Sequence, residues 1–209
     1  MDGPIAAVEL ARRRDGRHLL LLFDFDGTLT PFQPNPEGVH LDDEVRGLLA
    51  GLATKPHATV GIISGRRLPD LEKRLKIPGD VYVAGFHGLE IHTPGEAFLH
   101  PDAAAATSIL RGIAESMRAH LTMLPGVSWH KGSALQWIRE RIERVHGPTF
   151  TVYVGDDVTD EDAFRAVGPE GMTISASERA SGAEFFVNGP DGVKRLLHSL
   201  DAPEDNRRA

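Results

Sequence analysis

Apolar residues run without a break from 19 to 23 and stop at Asp24, which reads as a strand buried on both faces. The period then changes. Leu41, Val45, Leu48, Leu49 and Leu52 share one face of a helix over 41–54. A strand over 59–63, a helix near 68–76 and a strand over 81–84 follow, and residues 89–99 read as a hairpin around Pro94-Gly95. Ile109, Leu110, Ile113, Met117 and Leu121 place an amphipathic helix over 102–122. Leu135, Ile138, Ile142 and Val145 place another over 132–146. A strand over 150–154, short strands near 171–175 and 184–187 and a helix near 190–199 complete the pattern.

Strands alternating with helices predict an α/β fold, a doubly wound parallel sheet. Residues 1–90 and 131–200 form its core domain. The stretch 91–130 fits the alternation least well and is assigned to a small insert, and the polar tail 201–209 is expected to fray. Ligands of such sheets sit outside the carboxyl ends of the strands. Polar clusters at 24–28, 64–66 and 155–160 all fall at predicted strand ends, which points to one active site there.

Asp24 and Asp26 offer two carboxylates at the end of the first strand. One can attack phosphorus while the other handles the leaving group's proton. The same residues also fit a plain Asp-Gly turn. They fit a calcium loop less well, because a strand precedes them and the twelfth loop position is Asn35 rather than Glu. Ser64-Gly65-Arg66 opens a helix, where a hydroxyl and free amides suit a phosphate oxygen, although serine is also the usual N-cap. Lys131, just before the helix over 132–146, could neutralise phosphate charge or be a solvated surface group. The stretch 155–162 carries five carboxylates. Such a cluster suits a hard cation such as Mg2+, while Asp160, Glu161 and Asp162 would equally decorate a helix N-terminus.

Composition narrows the chemistry. No cysteine is present, which removes thiolate nucleophiles, thiolate metal sites and disulfides. The formal net charge of −7 speaks against a nucleic-acid surface. No apolar run is long enough to span a bilayer, so no membrane partner is expected. The N-terminus lacks the layout of a secretory signal, which makes a cytoplasmic location the default expectation.

Taken together, Asp24-Phe25-Asp26-Gly27-Thr28-Leu29-Thr30-Pro31, Ser64-Gly65-Arg66, Lys131-Gly132 and Gly155-Asp156-Asp157, with Thr159-Asp160, resemble the ordered motifs of the haloacid dehalogenase (HAD) phosphatases. With His87-Gly88-Leu89-Glu90 and Lys131-Gly132-Ser133-Ala134-Leu135, the chain is similar to the trehalose-6-phosphate phosphatase branch. The resemblance implies a HAD-like Rossmannoid core and an Mg2+-dependent phosphatase that forms an aspartyl-phosphate. It implies Asp24 as nucleophile and Asp26 as acid and base. Ser64, Gly65, Arg66 and Lys131 would bind substrate, with His87 and Glu90 as further candidates; His87 fits a structural histidine as well. Asp24, Asp26 (through its carbonyl) and Asp156 would bind the metal, with Asp157 and Asp160 in support.

One departure from the family stands out. Members carry an α/β cap between the second and third motifs, and here Trp129-His130-Lys131 follows soon after Leu124-Pro125-Gly126-Val127, leaving a reduced cap. The leading expectation is hydrolysis of trehalose 6-phosphate. The short insert also fits an open site for another phosphorylated substrate or a lid supplied by a partner subunit. It further fits a non-catalytic module that binds sugar phosphates or a trehalose-6-phosphate synthase. A phosphomutase, which needs a lid against water, fits less well.

Overall fold

The computed structural model describes residues 3–33, 36–101, 129–179 and 181–202. The helix expected over 102–122 and most of the expected tail lie outside these residues. The described elements are α1 (Gly3–Arg14), β1 (His18–Phe23), α2 (Asp43–Ala53), β2 (Ala58–Ile63), α3 (Leu68–Leu75) and β3 (Val81–Gly85). They continue with β4 (Glu90–Thr93), β5 (Glu96–Leu99), α4 (Lys131–His146) and β6 (Thr149–Gly155). The chain then forms α5 (Glu161–Val167), β7 (Met172–Ser175), β8 (Phe185–Phe186) and α6 (Gly189–Asp201). No helix among the described residues is long and apolar enough to cross a membrane.

The strands form one eight-stranded sheet in the order β5-β4-β3-β2-β1-β6-β7-β8. From β3 to β8 every neighbouring pair is parallel; β4 and β5 are antiparallel. The strand β1 lies between β2 and β6, with Leu21 opposite Val60 on one side and Val152 on the other. Its unbroken apolar run follows from that position, because both faces are covered. Leu19, Leu21 and Phe23 enter one core, with side chains of α1, α2, α3 and α6. Leu20 and Leu22 enter the other, with Leu135 and Ile138 of α4 and Phe164 of α5.

Three details differ from the sequence pattern. Leu41 is buried but precedes the helix it was assigned to; Asp42 caps α2 by accepting from the amides of Glu44 and Val45. Val145 keeps the helical period of Leu135, Ile138 and Ile142 yet is 76% exposed, because α4 has passed the edge of its core by then. The hairpin turns at Pro94-Gly95 as expected, with Gly95 at φ +99°. Its strands extend the main sheet, β4 pairing onto β3 and β5 onto β4, so the hairpin that opens the stretch assigned to the insert lies at the sheet's edge.

Candidate active site

The first acid loop leaves β1 where its pairing ends. The Asp24 amide still donates to the Val154 carbonyl of β6 at 2.8 Å, so the carboxylate is aimed from the carboxyl edge of the central strand. The chain then closes a tight loop, with the Gly27 amide on the Thr30 carbonyl (2.8 Å) and the Leu29 and Thr30 amides both on the Phe25 carbonyl (3.0 Å each). This is a strand-to-loop junction, without the entering helix of a calcium loop. Gly27 adopts φ +85°, and a Cβ there would overlap the Asp156 carboxylate. The loop can lie this close to the last motif only because the residue is glycine.

Lys131 joins the first acid loop to the last. It is the first residue of α4, whose N-cap is His130. Its Nζ donates to Asp24 Oδ1 and to Asp160 Oδ1, each at 2.6 Å. All three side chains are buried: Lys131 is 3% exposed, Asp24 4% and Asp160 0%. A cation at a helix N-terminus opposes the helix dipole; the two carboxylates outweigh that cost. Lys131 is therefore not a solvated surface group.

Asp160 is the hub of this arrangement. Its Oδ1 accepts from Lys131 and from the Tyr153 hydroxyl at 2.7 Å, and its Oδ2 accepts from the Asp156 and Asp157 amides, both at 3.0 Å. These bonds fold the 156–160 turn back on the end of β6, where a Cβ at Gly155 would overlap the Asp160 carboxylate. Asp156 is thereby turned toward the first loop, where Thr28 Oγ1 donates to its Oδ1 at 3.0 Å.

Carboxylate oxygens of Asp24, Asp156 and Asp160 come within 4.8 Å of one another. The Lys131 ammonium bonds two of the three, Asp24 and Asp160. Burial pushes the Asp24 carboxyl well up; Lys131 opposes that shift, while Asp160 and Asp156 add to it. Burial also raises Asp156, against the Thr28 hydrogen bond and with Asp160 reinforcing it. Burial alone would lower the Lys131 ammonium, but Asp24 and Asp160 hold it above its ordinary value. Uncompensated buried negative charge in a set of hard oxygen donors suits a divalent cation.

The remaining residues singled out in the sequence lie around this cluster. Both oxygens of Asp26 accept from Arg66, at 2.7 Å from Nε and 2.6 Å from Nη2. Arg66 also reaches Asp70 at 3.2 Å, and Asp70 is held in turn by Arg74 with two bonds of 2.8 Å. Asp157 turns outward to Arg179 at 3.1 Å. Ser64 is buried, and its Oγ accepts from the Arg66 amide at 3.2 Å. Its carbonyl accepts from the His87 amide at 2.8 Å, which ties the loop after β2 to the loop after β3. The His87 ring lies against Gly65. Phe86, His87 and Gly88 are three successive residues with positive φ, at 52°, 57° and 95°. Non-glycine residues take that conformation at a cost, and it presents His87 toward the site. Burial, with Lys131 adding to it and Asp160 opposing it, lowers the His87 pKa. Glu90 opens β4, half-buried, opposite Gly85 on one side and Leu99 on the other.

The structure thus brings Asp24, Asp156, Asp160 and Lys131 together at the carboxyl ends of β1 and β6. It places the side chains of Asp26 and Asp157 on arginines outside the acid cluster. Tyr153 escaped the sequence reading. A tyrosine in the middle of a buried strand needs a partner for its hydroxyl, and that was the available signal.

The trehalose-phosphatase family model matches residues 22–130 and 125–191. A trehalose-phosphate phosphatase of Mycobacterium avium is 30% identical over 90% of this chain and 64% of its own length. That of Mycobacterium ulcerans is 29% identical over 86% of this chain and 60% of its own. The chain therefore spans less than two thirds of these relatives. A solved trehalose-6-phosphate phosphatase of Aspergillus fumigatus shares the fold, with a TM-score of 0.67 and 20% identity over 95% of this chain and 97% of that one.

Proposed function

The chain belongs to the trehalose-phosphatase family, and on that premise we propose that it is a phosphoric monoester hydrolase that cleaves trehalose 6-phosphate. The observation that carries the reading is the buried Lys131 ammonium shared between Asp24 and Asp160, with Asp156 beside them. A binding module has no need for a buried carboxylate at the phosphate, whereas a phosphoryl-transfer enzyme needs a nucleophile there.

In the proposed reaction an Asp24 oxygen attacks phosphorus and the bond from phosphorus to the sugar oxygen breaks. Once substrate has drawn Arg66 away, Asp26 takes a proton from the substrate's phosphate or from water and passes it to the leaving alkoxide. Water then attacks the phosphorus of the aspartyl-phosphate, Asp26 takes the water's proton, and the bond from Asp24 to phosphorus breaks. Lys131, Ser64 and the Gly65 amide would hold phosphoryl oxygens, and Arg66 would hold Asp26 in place until substrate enters. The Asp24 and Asp156 carboxylates and the Asp26 carbonyl would hold Mg2+, which would offset repulsion between Asp24 and the phosphate dianion. Asp160, with both oxygens engaged, would act by fixing Asp156 and Asp157.

The test is phosphate release from trehalose 6-phosphate beside glucose 6-phosphate and a small aryl phosphate, with Mg2+ and with EDTA. Selective release that needs Mg2+ and disappears in Asp24→Asn is expected. Full activity in Asp24→Asn would sink the nucleophile assignment. Release from the aryl phosphate alone would overturn the substrate.

A further inference from the structure

β6 packs its tyrosine into the core that also holds Leu20, Leu22, Leu135 and Phe164. The Tyr153 ring is fully buried and meets Phe164 edge-on, with centroids 5.7 Å apart and planes at 76°. A phenylalanine would fill that space equally well, so packing does not account for the hydroxyl. The hydroxyl donates to Asp160 Oδ1 at 2.7 Å, and the same oxygen accepts from Lys131 at 2.6 Å. The other oxygen of Asp160 is committed to two backbone amides. Lys131 stands equidistant, at 2.6 Å, from Asp160 and from Asp24.

We propose that Tyr153 is a positioning residue for phosphoryl transfer: its hydroxyl shares the Asp160 oxygen that binds Lys131, and so leaves the ammonium free to lean toward Asp24 and the phosphoryl group. The inference rests on the phosphatase reading. Two donors on one oxygen compete for its charge, so each is held less tightly than it would be alone. Without the hydroxyl, Asp160 Oδ1 belongs to Lys131 only, and the ammonium is drawn back toward it. The loss falls on the transition state, where charge on the transferring oxygens makes the greatest demand on Lys131. It falls less on the bound substrate.

The test is Tyr153→Phe, which keeps the ring and removes the donor. At saturating Mg2+, kcat should fall by about tenfold, the low end for losing a hydrogen-bond partner behind a reacting group. KM should stay within about twofold, and inhibition by orthovanadate, which mimics the transferring phosphoryl group, should weaken by a factor similar to that for kcat. Unchanged kcat with a lower melting temperature would make the hydroxyl structural only and overturn the proposal. A rise in the Mg2+ concentration for half activity that tracks the loss of kcat would place its action on the Asp156 loop, and would overturn it too.

A second measurement needs neither turnover nor a folded Tyr153→Phe variant. The chain has two tyrosines, so 3-fluorotyrosine in a Tyr82→Phe background gives one fluorine signal, from position 153. That signal should shift when orthovanadate binds and draws on Lys131. Bound vanadate with no shift would overturn the proposal. A wild-type protein that binds vanadate but hydrolyses none of the esters would overturn the phosphatase reading and with it a role in phosphoryl transfer, and the fluorine signal would then report only whether Tyr153 senses Lys131. A protein that neither turns over nor binds vanadate would overturn both.

Discussion

Replacing Lys131 by methionine keeps the side-chain stem and deletes the charge between two buried carboxylates. The wild-type ammonium contacts Asp24 and Asp160 at 2.6 Å each. Without it, carboxylate oxygens lying within 4.8 Å of one another face each other with no cation. At an effective dielectric of about 20, two unit charges at that separation repel by roughly 3–4 kcal/mol. Breaking a buried pair by removing one partner typically costs about 3–5 kcal/mol, a similar size. We therefore expect Lys131→Met to lose about 3–5 kcal/mol of unfolding free energy at pH 8. The variant can relieve the repulsion by taking a proton on one carboxyl, whose pKa is then raised in the folded state. A raised carboxyl pKa favours the fold at low pH, and that benefit fades as pH rises. The gap between wild type and variant should accordingly narrow from pH 8 to pH 5.5. Mg2+ should narrow it as well, by supplying the missing positive charge. Urea unfolding followed by circular dichroism at both pH values, with and without Mg2+, measures all of this. A gap below about 1 kcal/mol at pH 8, or one that ignores pH, would refute the view that a single ammonium holds the acid cluster together.

Other expectations follow from the same contacts. Gly27→Ala drives a methyl group into the Asp156 carboxylate; the Mg2+ concentration for half activity should rise at least about tenfold, in line with losses of metal affinity when a ligand's support is disturbed. Burial pushes His18 down to about 4, with the stacked His146, Arg14 and His57 adding to it. Its neutral ring meets the Thr59 hydroxyl at 2.9 Å. The unfolded chain takes up this proton near the ordinary histidine value and the fold resists it, so stability should fall between about pH 6.5 and 4, by on the order of 2 kcal/mol. In His18→Gln that slope should flatten, and an unchanged acid profile would rule out His18 as its source. Arg74→Met strips Asp70 of its two 2.8 Å bonds and leaves the Val39 carbonyl without its donor. Thermal unfolding should show a loss of about 2–4 kcal/mol, with phosphate release per folded molecule little changed.

The parts of the fold that were legible in the sequence are those where burial alone decides the residue type. β1 is covered on both faces and reads as an apolar run; α2 and α4 are covered on one face and read at the helical period. The helix α1 was not called from the pattern, since its apolar contacts are small (Ala6, Ala7 and Leu10) and its end is three arginines. The hairpin after β3 was readable because its turn is local. That it would join the edge of the main sheet was not, since strand partners are chosen in three dimensions. The same limit applied at the site. Spacing grouped the acids by strand end, but it could not show that Arg66 takes both oxygens of Asp26, or that Arg179 takes Asp157. The resemblance put Asp160 in support of the metal, but its central role was hidden by its position: an acid in a first helical turn needs no further explanation, and only its four donors show that it organises the site.

The central place of β1 has a consequence for synthesis. As the chain leaves the ribosome, β1 can pair with β2 early, but its other edge waits for a partner until β6 has been made, beyond Thr149. Until then this apolar strand presents an open row of backbone donors and acceptors, a template for pairing with the wrong chain. The nucleophile sits at the end of that same strand, and the lysine and acids that complete it arrive with the later segment. A half-made chain should therefore be both prone to aggregate and chemically silent, and yield in the cell should respond to chaperones acting on the nascent protein more than to those acting after release.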